Sequence, residues 1–219
     1  MKKFINFGFI KRFFIVLFLF AIFVFISAAS YADAVSEDLA DSVFRLHVIA
    51  NSDSKEDQDL KYKVRDSILE YMNTISKDCS SKSEVINMAN EHKEDLQHIA
   101  EEVIRDNGYD YTVNIKIGNF AFPTKTYGDI SFPAGNYDAL RIEIGEASGQ
   151  NWWCVMFPPL CFVDVSSGIV PDESKETIQN NLNNEEEYSI ISDDKSPDIK
   201  FKFSLIEFFK GINFAKTSN

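Results

Sequence analysis

The sequence predicts an α/β or α+β fold: a single two-layer domain with one mixed sheet of about four to five strands and two consecutive amphipathic helices on one face. Three observations predict it. Alternating or apolar runs recur at Ser42–Ala50, Tyr111–Ile117, Tyr137–Ile144 and Trp152–Phe157. Between the first two of these, Leu60 to Ile75 and Val85 to Val103 repeat apolar residues at helical spacing. Helices adjacent in sequence cannot bury their apolar stripes alone, so the strands must supply the surface they pack on.

Ahead of the domain stands a different kind of segment. Lys2, Lys3, Lys11 and Arg12 precede an uninterrupted apolar run, Phe13 to Ile26, followed by Ser27, Ala28, Ala29, Ser30 and Ala32. Positive start, apolar middle and small-residue end are the order of a secretory signal. The run is shorter than the ~20 residues of a comfortable membrane span. Residues 1–32 are therefore expected to be a signal peptide cleaved after Ala32, with a second acceptable site after Ala34. The alternative is an uncleaved anchor lengthened by Phe4 to Ile10. Either way the remainder is expected to be exported, with the membrane involved only through this segment.

The globular domain is expected over residues 37–167. In Ser42–Ala50, Phe44, Leu46, Val48 and Ala50 form an apolar side and Val43, Arg45, His47 and Ile49 the other. Asn51-Ser52-Asp53-Ser54 then breaks the strand as a turn. Ser54 with Asp57 fits a capping box, and Glu56, Asp57 and Asp59 complement a helix N-terminus. Leu60, Val64, Ile68, Tyr71, Met72 and Ile75 lie on one helical face. Ser81 and Glu84 repeat the capping pattern, and Val85, Met88, Ala89, His92, Leu96, Ile99 and Val103 continue as one second helix. Asn107-Gly108 supplies its C-cap.

The sheet continues with Tyr111–Ile117 and Tyr137–Ile144, both alternating, separated by a long loop, Gly118 to Gly135. Trp152–Phe157 and Leu160–Val165 are nearly continuous apolar runs and read as buried central strands on either side of the Pro158-Pro159 breaker. From Gly168 to Asp198 there are nine acidic residues against Lys175 and Lys195, so residues 168–198 read as an acidic flexible linker. Residues 199–211 regain apolar character and are expected to dock back on the domain.

Charge narrows the partners. The chain carries a formal net charge of −12, and residues 1–32 hold four of its 22 basic residues and none of its 34 acidic ones. The exported part is thus more acidic still, a poor match to nucleic acid phosphates. It would also be repelled by an anionic membrane surface. Proteins and neutral ligands remain.

Three cysteines are too few for a disulfide-framework miniprotein. Cys154 and Cys161 would face one another across the reversal at Pro158-Pro159, and an oxidising compartment permits a bond. Both also sit among apolar neighbours, as free core cysteines do. Cys79 lies in a polar stretch.

Catalytic motifs are missing. The chain has no Gly-x-Ser-x-Gly elbow and no H-E-x-x-H helix. His92 and His98 are not at the i,i+4 spacing of a metal pair, and His92 on the apolar stripe reads as a core histidine. Asn51, Asp53, Asp57 and Asp59 lack the glycine and the glutamate of a calcium loop, and helix capping accounts for them. A thiol enzyme would pair Cys154 with His47 as base, but burial in WWCVMF would leave that thiol inert. No catalytic, cofactor-binding or metal-ligating residue is expected.

Aromatic and polar residues remain. Phe120, Phe122, Tyr127 and Phe132 share the Gly118–Gly135 segment, and a loop of that length is usually functional. Trp152 and Trp153 point to opposite faces of their strand, and exposed aromatics anchor interfaces. A loop folded over its own sheet, with both tryptophans packed, is the competing reading.

At these residues the chain resembles a known family. The blocks are Phe44-Arg45-Leu46-His47-Val48-Ile49-Ala50-Asn51-Ser52-Asp53-Ser54 with Asp57-Gln58 and Leu60-Lys61, then Ala121-Phe122-Pro123-Thr124-Lys125 with Tyr127-Gly128. Pro133-Ala134-Gly135 with Tyr137 follows. Last comes Asn151-Trp152-Trp153-Cys154-Val155 with Phe157-Pro158-Pro159-Leu160-Cys161-Phe162. Together they resemble stage II sporulation protein R over residues 43–167, with a weaker echo at 201–209.

The resemblance implies a role that composition does not. Members are exported from the forespore of endospore-forming bacteria into the space between forespore and mother cell. There they are thought to trigger a membrane-embedded aspartic protease, which processes the precursor of sigma-E. The family supplies a signalling ligand and implies no cofactor. The resemblance assigns no contact residues; the turn, the long loop and the exposed aromatics themselves suggest a candidate partner surface of Asn51, Ser52, Asp53, Phe122, Pro123, Lys125, Tyr127 and Trp152.

Overall fold

The computed structural model describes residues 7–161, 170, 172–181, 188 and 192. Nothing in residues 7–42 breaks a helix, since they contain no proline and their one glycine lies at the start. They form a single helix, α1 (Phe7–Ser42). The large apolar side chains of its Phe13–Ile26 run are exposed. That run rises only about 21 Å at 1.5 Å per residue, against a hydrocarbon core of about 30 Å. Among the described residues no helix is long and apolar enough to cross a membrane. The end of α1 belongs to the domain: Leu39 is buried, and Lys82 Nζ bonds the Ala40 carbonyl at 3.0 Å and Asp138 at 2.7 Å. The helix runs through Ala32 without a break.

Next comes β1 (Phe44–Ile49), every residue of which is buried. The expected division into an apolar and a more polar side is there in direction but not in exposure. The cause is tertiary, because β1 is an inner strand with side chains of other elements packed over both of its faces. The sheet order is β2–β5–β1–β6, where β2 is Val113–Phe122, β5 is Gly135–Ile144 and β6 is Asn151–Phe157. β1 runs parallel to β5 (His47 opposite Arg141) and antiparallel to β6 (His47 opposite Trp153). β2 is antiparallel to β5. This is the mixed four-stranded sheet the sequence predicts.

One face carries the helices. Ser54 caps α2 (Lys55–Ile75), its hydroxyl accepting from the Asp57 N–H at 3.2 Å. Leu60, Val64, Ile68 and Met72 are buried as their spacing requires, each contributing roughly 1.5–3 kcal/mol of burial. The second expected helix is in fact two, α3 (Lys82–Glu91) and α4 (Lys93–Asp106), joined at His92. His92 is not a core histidine. Its ring Nδ1 lies 2.9 Å from the Tyr71 hydroxyl and 2.8 Å from Asp95 Oδ2. Asp95 in turn stands in the first turn of α4. The break lets Val85 and Ala89 on one helix and Leu96, Ala100 and Ile104 on the other all reach the same core. That core faces Phe44, Leu46, Val48, Ile115, Leu140, Ile142, Cys154 and Met156 of the sheet. Gly108, at φ 82, ends α4 as expected.

The opposite face is covered at one end. The Gly118–Gly135 segment, expected as one loop, is mostly strand. β2 stays paired to β5 through Phe122 opposite Gly135, and a small hairpin follows, β3 (Lys125–Tyr127) and β4 (Ile130–Phe132). Its aromatic side chains have a surface to bury on, which a sequence window does not show. Phe122, Ile130, Phe132, Tyr137 and Val155 form a second core with Leu39 and Val43.

Two further expectations change here. The Leu160–Val165 run, expected as a buried central strand, does not start as one: the chain turns through residues 158–161, and the Leu160 N–H bonds the Val155 carbonyl at 3.0 Å. The prolines lack the N–H groups a strand would need there. Cys154 and Cys161 are joined in a disulfide. Residues 162–165 lie outside the described residues. Within the expected linker 168–198, Asp172–Asn181 forms helix α5. Val170 and Ile178 are buried in the second core, and Lys175 pairs with Asp129. Ile178 on the helix and Val170 just ahead of it anchor a segment that is otherwise acidic and polar. The rest of that range, apart from Tyr188 and Ser192, and the apolar segment 199–211 lie outside the described residues.

The disulfide closes a short loop, so the chain-entropy account gives it about 2 kcal/mol. Replacing both Cys154 and Cys161 by serine is expected to lower the unfolding free energy by that amount in urea denaturation. An unchanged midpoint would show that the bond carries no stability.

Candidate functional site

The sequence-predicted surface residues fall into three places. Asn51, Ser52 and Asp53 follow β1 at its C-terminal end. Phe122, Pro123, Lys125 and Tyr127 lie on or beside the β3–β4 hairpin. Trp152 points to the helix side of β6, where it packs edge-on against Tyr62 (5.6 Å) and under the Arg65 guanidinium (4.3 Å). Trp152 and the hairpin residues therefore lie on opposite faces of the sheet.

The turn after β1 is a closed hydrogen-bond network. Asp57 is buried, and its Oδ2 accepts from Asn51 Nδ2 at 2.9 Å and Ser52 Oγ at 2.5 Å. Burial works against ionisation, but hydrogen bonds from Ser52, Asn51, Tyr111 and Ser54 outweigh it and hold the carboxyl below its usual range. Asn51 Oδ1 accepts the Glu146 N–H at 3.0 Å. Its carbonyl accepts from Ser148 Oγ at 2.7 Å. The approach is close enough to demand glycine: a Cβ on Gly149 would lie 2.1 Å from the Ser52 carbonyl oxygen. Lys61, also buried, donates to Gln58 Oε1 (2.6 Å) and the Gln150 carbonyl (3.1 Å). With its polar groups used internally, this turn fixes the β5–β6 connection to the start of α2. Asp53 alone among the three points is exposed.

The other site was not legible as a unit. Arg45 has no exposed surface. Its guanidinium carbon lies 4.1 Å from the Phe122 ring centroid, 4.6 Å from Tyr137 and 5.7 Å from Phe132. Nη2 donates to the Tyr127 hydroxyl at 2.9 Å, which donates to the Trp153 carbonyl at 3.1 Å. Burial raises the Tyr127 and Tyr137 phenols, against the lowering effect of Arg45. Both stay neutral at pH 7 and supply no counter-charge. Phe122, expected at a surface, is buried because it forms one wall of this cage.

Beyond the cage the same face opens. His47 stacks on Trp153 at 5.6 Å, and its Nε2 lies 2.7 Å from Asn151 Oδ1. Lys125 Nζ sits 4.6 Å over the Trp153 ring. Arg141 lies 5.4 Å from the Phe120 ring and pairs with Glu143 at 2.9 Å, which Lys116 also reaches at 2.8 Å. The signal that could have found this face is the pair Arg45 and His47 inside an otherwise apolar strand. Cys154 lies on the other face and is disulfide-bonded, so no Cys154–His47 pair forms. Among the described residues no group of His, Cys, Asp and Glu could hold a metal ion.

Burial lowers the His47 pKa, the Asn151 hydrogen bond opposes it, and Arg141 and Arg45 lower it further against Glu143. The folded protein therefore keeps His47 neutral where the unfolded chain takes up a proton, below about pH 6.5. Stability is expected to fall as pH drops through that value and to level off below the folded-state pKa. Urea unfolding at several pH values between 7.5 and 5, for the native chain and His47→Gln, checks this. The native protein should lose more stability across the window, and equal losses would refute the assignment.

Comparison with known proteins agrees with the blocks that carry this geometry. The family model for stage II sporulation protein R matches residues 40–167. Stage II sporulation protein R of Bacillus subtilis (strain 168) is 38% identical over 138 residues, 63% of this chain. The match spans 62% of that relative's length. No solved structure matches the chain. The matched range begins at the buried end of α1 and takes in both helix-bearing and cage-bearing faces of the sheet, and on that basis the chain belongs to the stage II sporulation protein R family.

Proposed function

We propose that this protein is an exported sporulation signal that activates a membrane-embedded aspartic protease, which then processes the sigma-E precursor in the mother cell. The family match over residues 40–167 is the observation that carries this reading. Three features support it. The first 32 residues have the order of a secretory signal, with cleavage after Ala32. The strongly acidic chain suits a protein partner better than nucleic acid or an anionic membrane. The one thiol–imidazole pair that would have supported hydrolysis is split between two faces of the sheet. The protein acts as a ligand and not as a catalyst. Activation requires it to bind the protease's active arrangement more tightly than the resting one.

The test is co-expression of the exported chain with the protease and the sigma-E precursor in a host lacking all three. Precursor cleavage is expected only when the exported chain is present, and it should persist in a folded Cys154→Ser, Cys161→Ser variant. No cleavage, with the chain shown to be folded and exported, would overturn the signalling role. Retention on purified peptidoglycan would then favour a wall-binding module.

A further inference from the structure

Among the described residues six buried side-chain nitrogens have no hydrogen-bond partner, and five lie on the sheet face opposite the helices: Arg45 Nε and Nη1, His47 Nδ1, Arg141 Nε and Trp153 Nε1. Four of the five belong to arginine or tryptophan and can only donate. Native structures leave few buried donors unpaired; the two on Arg45 are closed inside its cage, whereas Arg141 Nε and Trp153 Nε1 belong to side chains that are partly exposed on this face. Charge points the same way. In a chain of net charge −12 with five arginines, two of them, Arg45 and Arg141, share this face with Lys116 and Lys125. Among the described residues Glu143 is the one carboxylate paired with these cations, and it is already engaged by Lys116, Arg141 and Asn114. Arg45 is sealed inside its cage and acts through its field. Arg141 and Lys116 are within reach of solvent, with 31% and 46% of their side chains exposed. Trp153 is half-buried beside them and offers an apolar surface.

From this juxtaposition we propose that the face formed by Arg141, Lys116, Lys125 and Trp153 docks an acidic peptide segment of the partner protein, a carboxylate meeting the cations and an adjoining apolar side chain resting on Trp153. Carboxylate oxygens only accept, which complements the guanidinium, ammonium and indole donors of this face. Nucleic acid or an anionic bilayer would also meet these cations, but the large negative charge of the rest of the chain disfavours both extended surfaces. A short peptide feels chiefly the local patch, within a Debye length of about 8 Å. The inference deepens the signalling-ligand reading by assigning the chemistry of its partner contact.

The test uses the full chain in mild detergent with Trp152→Phe, which leaves Trp153 as the one tryptophan reporter. A peptide of glutamates around a single phenylalanine is titrated at low salt, beside the same peptide with glutamine throughout. Saturable change in Trp153 fluorescence is expected for the glutamate peptide alone. Arg141→Gln or Lys125→Gln should weaken it about tenfold, the loss of one charge-assisted hydrogen bond, while Lys93→Gln on α4 should not. Thermal unfolding of each variant establishes that it is folded. Absence of a saturable change, equal response to the glutamine peptide, or indifference to both substitutions would overturn the site. So would a saturable change with phosphatidylserine in mixed micelles of the same detergent that the glutamate peptide does not compete away. Precursor cleavage is read separately. If the native chain binds peptide but yields no cleavage, the signalling reading fails and the site stands. If folded variants that no longer bind peptide still drive full cleavage, this face is not the partner contact and the signalling reading stands.

Discussion

Asp57→Ala is expected to lower the unfolding free energy by about 3 kcal/mol, because it strands several donors at once rather than deleting one contact. The carboxylate accepts from Asn51 and Ser52 at 2.9 and 2.5 Å in a position with almost no exposure. It also stands in the first turn of α2, where a negative charge complements the helix N-terminus. Removing it leaves Asn51 Nδ2 without that acceptor. The same residue's Oδ1 holds the Glu146 N–H, so the β5–β6 connection should loosen with the turn. Urea denaturation measures the loss, and amide exchange at Glu146 and Ser148 should rise with it. A loss below about 1 kcal/mol, the scale of a single exposed cap, would mean that the network is redundant. The pH dependence has a definite sign. The depressed Asp57 pKa adds stability above the ordinary carboxylate range near 4, lost as pH falls through the folded-state value. This acidic loss lies well below the His47 window.

Arg45→Ala should cost a similar or larger amount, about 4 kcal/mol, and Arg45→Met should recover nearly all of it. The two substitutions separate volume from charge. Alanine empties a cage walled by Phe122, Tyr137 and Phe132, and a void of that kind is paid for in lost dispersion contacts. Methionine fills similar space without a charge to desolvate. The cation gains attraction from the rings, roughly 2 kcal/mol when desolvated, and one bond to Tyr127. Against this stands an effective desolvation penalty of several kcal/mol with Nε and Nη1 unpartnered. The terms nearly cancel, so the methionine variant should fall within about 1 kcal/mol of the native chain. Thermal and urea unfolding of both variants decide it. If Met is as damaging as Ala, the charge itself holds the fold together.

Much of this architecture is written in local patterns. The Ser54 cap and the Leu60–Met72 stripe follow from the residues at those positions, since a helix needs only its own spacing and its own first-turn donors satisfied. Gly108 ends α4 for an equally local reason, a φ that other residues resist. The break at His92 was not legible, because an apolar spacing that continues across a junction looks unbroken. It takes Tyr71, 21 residues away, to hold the ring there. The β3–β4 hairpin was hidden likewise: the prolines and glycines in and around it signal a loop, and only the apolar floor provided by Tyr137 and Val155 makes its strands worth forming.

The candidate site divides along the same line. By itself the sequence determined the sheet-and-helix class, the signal-like start, the acidic charge that narrows the partners and the family blocks, each carried by neighbouring residues or by composition. Only the tertiary structure decided that Arg45 is caged, that Cys154 and Cys161 are bonded, that Trp152 packs under the helices while Trp153 stacks on His47, and that Arg141, Lys116 and Lys125 share one surface with Trp153. Those facts depend on which strands are neighbours. Placing β1 between β5 and β6 makes it an inner strand and sets Arg45 and His47 beside residues about a hundred positions away. Pairing of that range is set by the free energy of the whole core, to which no short stretch of sequence has access.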